Sequence, residues 1–211
     1  MTQPWIKICG ITQNKDADYA AQLGVNALGF VFYSKSPRSI SSKVLPKIIE
    51  NLKGSVSIVA LFVDPTKDEV SEVLDSGLID LIQFHGNESE EFCSSFDTPY
   101  MKALHIKDQF LPLSVFDKYS SARYLLLDTF SRKVLGGTGK TFDWSIARDA
   151  IEKTNREIII AGGLNPTNVE HVVKAINPFG VDVSSGVESV LGKKDMTKLD
   201  RFVREARSVR S

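Results

Sequence analysis

Cysteine is scarce: Cys9 and Cys93 are the only two among 211 residues. Two thiols so far apart exclude a disulfide framework and a cysteine-rich zinc site, so both are expected to be reduced. Net charge is absent as well, with 26 basic and 26 acidic residues scattered along the chain. That balance speaks against a nucleic-acid stripe or a polybasic membrane patch, and neither a nucleic-acid nor a membrane partner is expected. No apolar run approaches the length of a membrane span, and the opening MTQPWIKICG lacks a charged leader followed by a long apolar region. The expected setting is soluble and cytoplasmic. No linker rich in proline, glycine or serine divides the chain, and a 42% apolar composition suffices for one sizeable core.

What is present is a repeated alternation. Short β-rich runs occur at WIKIC (5–9), ALGFVF (27–32), VSIVALFV (56–63), IDLIQF (79–84), YMKAL (100–104), RYLLLD (123–128), EIIIA (157–161) and GVDVS (180–184). They recur at roughly 25 residues, the length of a strand, a helix and two loops. Most are apolar on successive positions, which indicates burial on both faces and a parallel sheet. Between them the period changes to that of a helix, as at Val70, Val73 and Leu74, or at Val169, Val172, Val173 and Ile176. Thr66 with Glu69, Asn87 with Glu90 and Thr167 with Glu170 are spaced as capping pairs, with Asn165-Pro166 competing for the last start. Gly24 and Gly77 are placed to stop their helices. The fifth helix, within DQFLPLSVFDKY, has the least regular pattern.

Eight strand-helix units joined by short loops favour one (βα)8 barrel over residues 1–211 rather than an open doubly wound sheet, which would leave two edges to protect. In a barrel, chemistry gathers at the C-terminal strand ends. Those positions are Cys9, Tyr33 to Arg38, Asp64, His85, Asp128, Gly162 with Gly163, and Ser184 to Gly186. Glycine-bearing turns after strands seven and eight, AGGLNP and SSGVE, suit a phosphate held by backbone N–H groups, although each alone also makes an ordinary tight turn. Arg38 in SPRS can grip a carboxylate with two parallel hydrogen bonds, or be a solvated loop residue. Asp128 ends the run Leu125-Leu126-Leu127, where a carboxylic acid suits proton donation or caps a loop. His85 and Asp64 are further candidates for lining the site. Cys93 lies within a helical stretch and reads as a small core residue. Cys9, beside Gly10 at a strand end, can serve as nucleophile or base. The segment VLGGTGKT (134–141) looks like a P-loop, yet it has Val134 where that motif needs glycine and does not follow its strand directly. A glycine-rich active-site loop over 131–142 is the better reading.

Taken together, KICGIT, SPR, QFHG, LLLDT, GGTGKTFDW, AGGLNP and GVDVSSGVE resemble the phosphoribosylanthranilate isomerase family of tryptophan biosynthesis, over essentially the whole chain. QFHG departs from the more usual leucine form of its motif at an apolar strand position. The resemblance implies a cofactor-free, metal-free Amadori rearrangement of N-(5-phosphoribosyl)anthranilate to 1-(2-carboxyphenylamino)-1-deoxyribulose 5-phosphate. It implies Cys9 as general base, Asp128 as general acid and Arg38 as partner of the anthranilate carboxylate. It also implies phosphate contacts at Gly162, Gly163, Ser185 and Gly186. The partner expected is a small sugar phosphate; a monomer is expected, with a dimer left open.

Two rivals stand beside this reading. A histidine-biosynthesis isomerase on the same barrel resembles proteins with aspartate in place of Cys9, so the thiol argues against it. A phosphometabolite-binding barrel without catalysis leaves Cys9 and Asp128 unexplained.

Overall fold

The computed structural model describes residues 3–52, 56–106, 112, 114–128 and 145–208. Eight parallel strands pair in chain order and close into a barrel: β1 (Trp5–Cys9), β2 (Ala27–Val31), β3 (Ser57–Phe62), β4 (Leu81–Phe84), β5 (Tyr100–His105), β6 (Tyr124–Asp128), β7 (Ile158–Ala161) and β8 (Gly180–Val183). The expected runs are each present. Most are trimmed by a residue or two where the ladder runs out of partners, and β5 continues one residue further, to His105. The helices are α1 (Asn14–Gln22), α2 (Leu45–Ile49), α3 (Lys67–Leu74), α4 (Glu90–Cys93), α5 (Ser114–Lys118), α6 (Ser145–Lys153), α7 (Val169–Ile176) and α8 (Met196–Arg207). None among the described residues is long and apolar enough to cross a membrane. Between β8 and α8 the chain inserts a 3₁₀ turn (Ser185–Val187) and a two-stranded hairpin, β9 (Glu188–Val190) with β10 (Lys193–Lys194), which the periodicity does not predict.

Alternation along the strands sorts two cores. Ile6, Ile8, Leu28, Phe30, Phe62, Phe84, Leu125 and Leu127 face outward and pack with the helices in one continuous cluster. The opposite set, including Ala27, Val59, Leu81, Met101, Leu126 and Ile159, fills the barrel interior. Its floor is aromatic: Tyr124 stacks on Phe179 at 5.2 Å between ring centroids and meets Trp5 at 5.5 Å. This double burial explains why the strands read as continuous apolar runs.

Helix boundaries follow local chemistry. Thr66 and Glu69 form the expected capping box on α3. The other two pairs are corrected. Ser89, not Asn87, caps α4 by accepting the Phe92 N–H, because the Asn87 N–H is already held by Asp64. Ahead of α7, Asn165 accepts from the Thr167 N–H at 2.8 Å in a turn, and the helix itself starts at Val169 with Asn168 as its N-cap, so neither expected start is the one used. Gly24 and Gly77 both have positive φ, +72° and +65°, as helix-stopping glycines do.

The barrel closes where β8 meets β1, with Trp5 opposite Gly180 and Lys7 opposite Asp182. A Cβ on Gly180 would lie 2.5 Å from the Trp5 carbonyl oxygen, so the seam requires glycine there. Lys7 points inward, fully buried, and its Nζ lies 2.9 Å from Asp182 Oδ1. A charge in an apolar interior persists only with its partner. Lys7→Met is expected to destabilise the protein by about 3–5 kcal/mol by stranding Asp182, and Lys7→Met with Asp182→Leu to recover most of that loss. Urea unfolding midpoints measure both; a single-variant loss below about 1 kcal/mol would show that the pair does not hold the seam.

Candidate active site

The C-terminal strand ends surround one cavity of about 260 Å³. Its wall includes Cys9 from β1, Arg38 from the loop after β2, His85 beyond β4, Asp128 from β6, Gly162 and Gly163 beyond β7, and Ser184 beyond β8. The side nearest Cys9 is apolar, formed by Val31 and Leu61 with Tyr33 and Val63. Cys9 and Asp128, five strands apart in chain order, therefore face the same space.

Cys9 is 5% exposed. Burial pushes its thiol above the ordinary range, while the Lys7 and Lys194 charges pull it back and Asp182 opposes them. Space for the group comes from Gly29, opposite Cys9 on β2. A Cβ on Gly29 would lie 2.8 Å from Cys9 Sγ and 3.0 Å from Lys7 Cε. Gly10 serves a different neighbour. It has φ +73°, and a Cβ there would lie 2.5 Å from Arg38 Cδ, so glycine both turns the chain and lets the arginine stem cross it.

Arg38 is already engaged. Its Nε and Nη2 donate to Glu188 at 2.6 and 2.7 Å, a two-bond fork that leaves the Nη1 edge for another acceptor. Glu188 is also 3.2 Å from Lys194 Nζ, and these two cations hold its carboxyl below the usual range against the opposing effect of burial. Lys194 donates further to the Cys9 and Ser184 carbonyls, at 2.6 and 3.1 Å. The SSGVE motif contains Glu188 but assigns it no role, and neither Lys7 nor Lys194 is among the site residues expected from the sequence. The signal for the two lysines was weak but present: a charge inside an apolar strand at Lys7, and a second lysine beside a glycine turn at Lys194.

Asp128 Oδ2 lies 3.2 Å from His85 Nε2, and the other ring nitrogen of His85 is 2.9 Å from the amide of Gln83. The expected glycine turns are also here. Gly162 and Gly163 have φ +88° and +70°. Gly186 packs so closely on the Leu164 carbonyl that no Cβ fits between them, which brings the loops after β7 and β8 together. Among the described residues, the amides of Gly163, Ser185 and Gly186 donate to no protein acceptor. Ser185 and Gly186 sit just beyond the cavity wall, in the 3₁₀ turn.

Asp64 is not brought to the cavity. With φ +47° it turns back, accepting from the Asn87 N–H and donating its own N–H to Glu88 at 2.8 Å, so it fastens the loops after β3 and β4. Cys93 is fully buried in the outer core, and burial pushes its thiol up to about 12. The 131–142 loop, including the P-loop-like 134–141 segment, lies outside the described residues.

Comparison with known proteins agrees with this geometry. Residues 6–205 match the family model for N-(5'-phosphoribosyl)anthranilate (PRA) isomerase. The chain is 44% identical to the N-(5'-phosphoribosyl)anthranilate isomerase of Pseudomonas fluorescens over 202 residues, 96% of this chain and 95% of that one. It superposes on the phosphoribosyl anthranilate isomerase of Thermotoga maritima with a TM-score of 0.86 at 35% identity, covering 98% of this chain and all of that one. A second solved isomerase, in complex with reduced 1-(o-carboxyphenylamino)-1-deoxyribulose 5-phosphate, superposes with a TM-score of 0.81 at 33% identity over 98% of this chain and 100% of its own. With this breadth of match, the chain belongs to the N-(5'-phosphoribosyl)anthranilate isomerase family.

Proposed function

We propose that this protein catalyses the Amadori rearrangement of N-(5-phosphoribosyl)anthranilate in tryptophan biosynthesis, in the cytoplasm, with Cys9 as general base and Asp128 as general acid. The observation that carries the reading is the sharing of one cavity by Cys9, Asp128, Arg38 and the Gly162-Gly163 turn. A relative bound to a reduced 1-(o-carboxyphenylamino)-1-deoxyribulose 5-phosphate supports the substrate class.

Each charged group of the substrate has a partner in or just beyond the cavity wall. The phosphate is held by amides of Gly162, Gly163, Ser185 and Gly186, where the left-handed turn and the 3₁₀ turn present N–H donors. The anthranilate carboxylate takes the Nη1 edge of Arg38, which Glu188 holds in place. Between them the aromatic ring lies against Val31, Leu61 and Tyr33.

Asp128 gives its proton to the furanose ring oxygen; the C1–O bond breaks and the anthranilate nitrogen lone pair forms the protonated Schiff base. Cys9, as thiolate, takes the C2 proton, and the C2–H electrons close a C1–C2 double bond while the C=N electrons return to nitrogen. The resulting enolamine tautomerises to the ketone. Acid and base address opposite parts of one sugar, so they must stand apart across the mouth, as the ends of β1 and β6 do.

Burial works against the thiolate, so the base fraction at a given pH is smaller than for an exposed thiol, and raising the pH restores it. The expected kcat/KM therefore climbs along an alkaline limb centred above the ordinary thiol value of about 8.5. A limb below that value in the wild type, or its persistence in Cys9→Ser, would count against the thiol as base.

The deciding measurement is a fluorescence assay of phosphoribosylanthranilate consumption. Cys9→Ser and Asp128→Asn are each expected to lose about 10²–10⁴-fold in kcat, with binding of a product analogue retained. Turnover within a few-fold of wild type in either variant would remove that residue from the acid-base pair. Arg38→Lys keeps the charge but not the fork, and is expected to raise KM by about 10- to 100-fold with a smaller change in kcat. An unchanged KM would detach Arg38 from the carboxylate.

A further inference from the structure

Three ligand-type groups converge at the open ends of neighbouring strands: His85 after β4, His105 at the end of β5 and Asp128 at the end of β6. His85 Nε2 is 3.2 Å and His105 Nδ1 is 3.9 Å from the same carboxylate oxygen, Asp128 Oδ2. All three atoms lie within 4.8 Å of one another, and the two rings meet edge-on at 5.0 Å. A tetrahedral ion with bonds of about 2.0–2.1 Å needs ligand atoms roughly 3.3 Å apart. One edge already fits. The other two both involve His105 Nδ1 and require a small swing of that side chain, which is 40% exposed and can move.

The outer nitrogens of both rings are also provided for. His105 Nε2 donates to the His85 carbonyl at 2.9 Å, which leaves Nδ1 of the neutral ring as the bare nitrogen facing Asp128. His85 Nδ1 faces the amide of Gln83, a fully buried residue whose Oε1 has no hydrogen-bond partner. With Oε1 turned to the ring, Nδ1–H donates to it and the Nε2 lone pair points at Asp128. Imidazoles anchored through the far nitrogen to an acceptor are the form in which histidines hold metals.

We propose that His85, His105 and Asp128 bind a divalent transition-metal ion of the zinc type, and that its binding arrests turnover. Two imidazoles and one carboxylate suit zinc, cobalt, nickel or copper, whereas magnesium and calcium prefer oxygen alone. The ion takes the lone pair of His85 Nε2 in the tautomer whose proton sits on Nδ1 and is donated in a hydrogen bond to Gln83 Oε1. It also coordinates Asp128 Oδ2, so that oxygen cannot carry the proton for the sugar. The site is inhibitory, and no catalytic step passes through it. Arrest of turnover rests on Asp128 being the acid; binding of the ion does not.

The test uses cobalt and zinc chlorides with the full chain. Titration with Co²⁺ is expected to give visible d–d bands, and Zn²⁺ to inhibit turnover reversibly, with activity restored by EDTA. His105→Gln, which lies outside the proposed acid, base and substrate contacts, is expected to keep metal-free turnover while weakening Co²⁺ binding and Zn²⁺ inhibition together by about tenfold or more. Equal Co²⁺ affinity in wild type and His105→Gln, or no d–d bands at all, would overturn the site. So would a sulfur-to-cobalt charge-transfer band lost in Cys9→Ser, which would move the ion to the thiol. Absent turnover in the metal-free wild type would defeat the isomerase reading and leave the cobalt result standing.

Discussion

The mouth of the barrel depends on one buried ammonium. Lys194 Nζ reaches the carbonyl at the end of β1, the carbonyl just past β8 and the carboxylate of Glu188. Burial alone lowers its pKa, and the acceptors around it offset that cost only when all are in place. Its position therefore fixes three things at once: where Cys9 ends its strand, where the Ser185–Val187 turn begins, and which way Glu188 faces. Glu188 then fixes Arg38, through a fork spanning 150 positions of sequence. The lower pair, Lys7 with Asp182, repeats the device one step deeper, so the β1–β8 seam carries two buried cations beneath and beside one thiol.

That placement explains a tension in the site. A base made from a buried thiol starts at a disadvantage, since water is no longer there to solvate the anion. Two ammonium groups replace part of that solvation with fixed charge, and their own partners, Asp182 and Glu188, limit how much. The wall around Cys9 stays largely apolar, which suits an aromatic substrate, and neither ammonium is among the residues that line the cavity.

Much of this was legible in the sequence, and the parts that were not share a cause. The eight strands showed themselves because each is covered on both faces and so carries apolar residues at successive positions. Cys9, Asp128 and the Gly162-Gly163 turn followed from the rule that barrel chemistry sits at strand ends. Asp64 obeyed the same rule and turned away, because its left-handed backbone makes it a fastening for Asn87 and Glu88. Capping pairs failed wherever a neighbour competed for the same N–H, as at Asn87. The contacts that hold the site, Arg38 with Glu188 and Lys7 with Asp182, join residues 150 and 175 positions apart, and no local spacing can announce them. His105 was within reach: Met101 and Ala103 alternate inward along β5, and one further step of two leads to it.

The β9–β10 hairpin gives the eighth unit a different standing from the other seven. Among the described residues the eighth unit inserts, between strand and helix, a hairpin whose lysine binds the first strand. The barrel is thus less modular than its repeated pattern suggests. Exchange of unit eight replaces both the anchor of unit one and the carboxylate that holds Arg38 of unit two, so these segments must be inherited together.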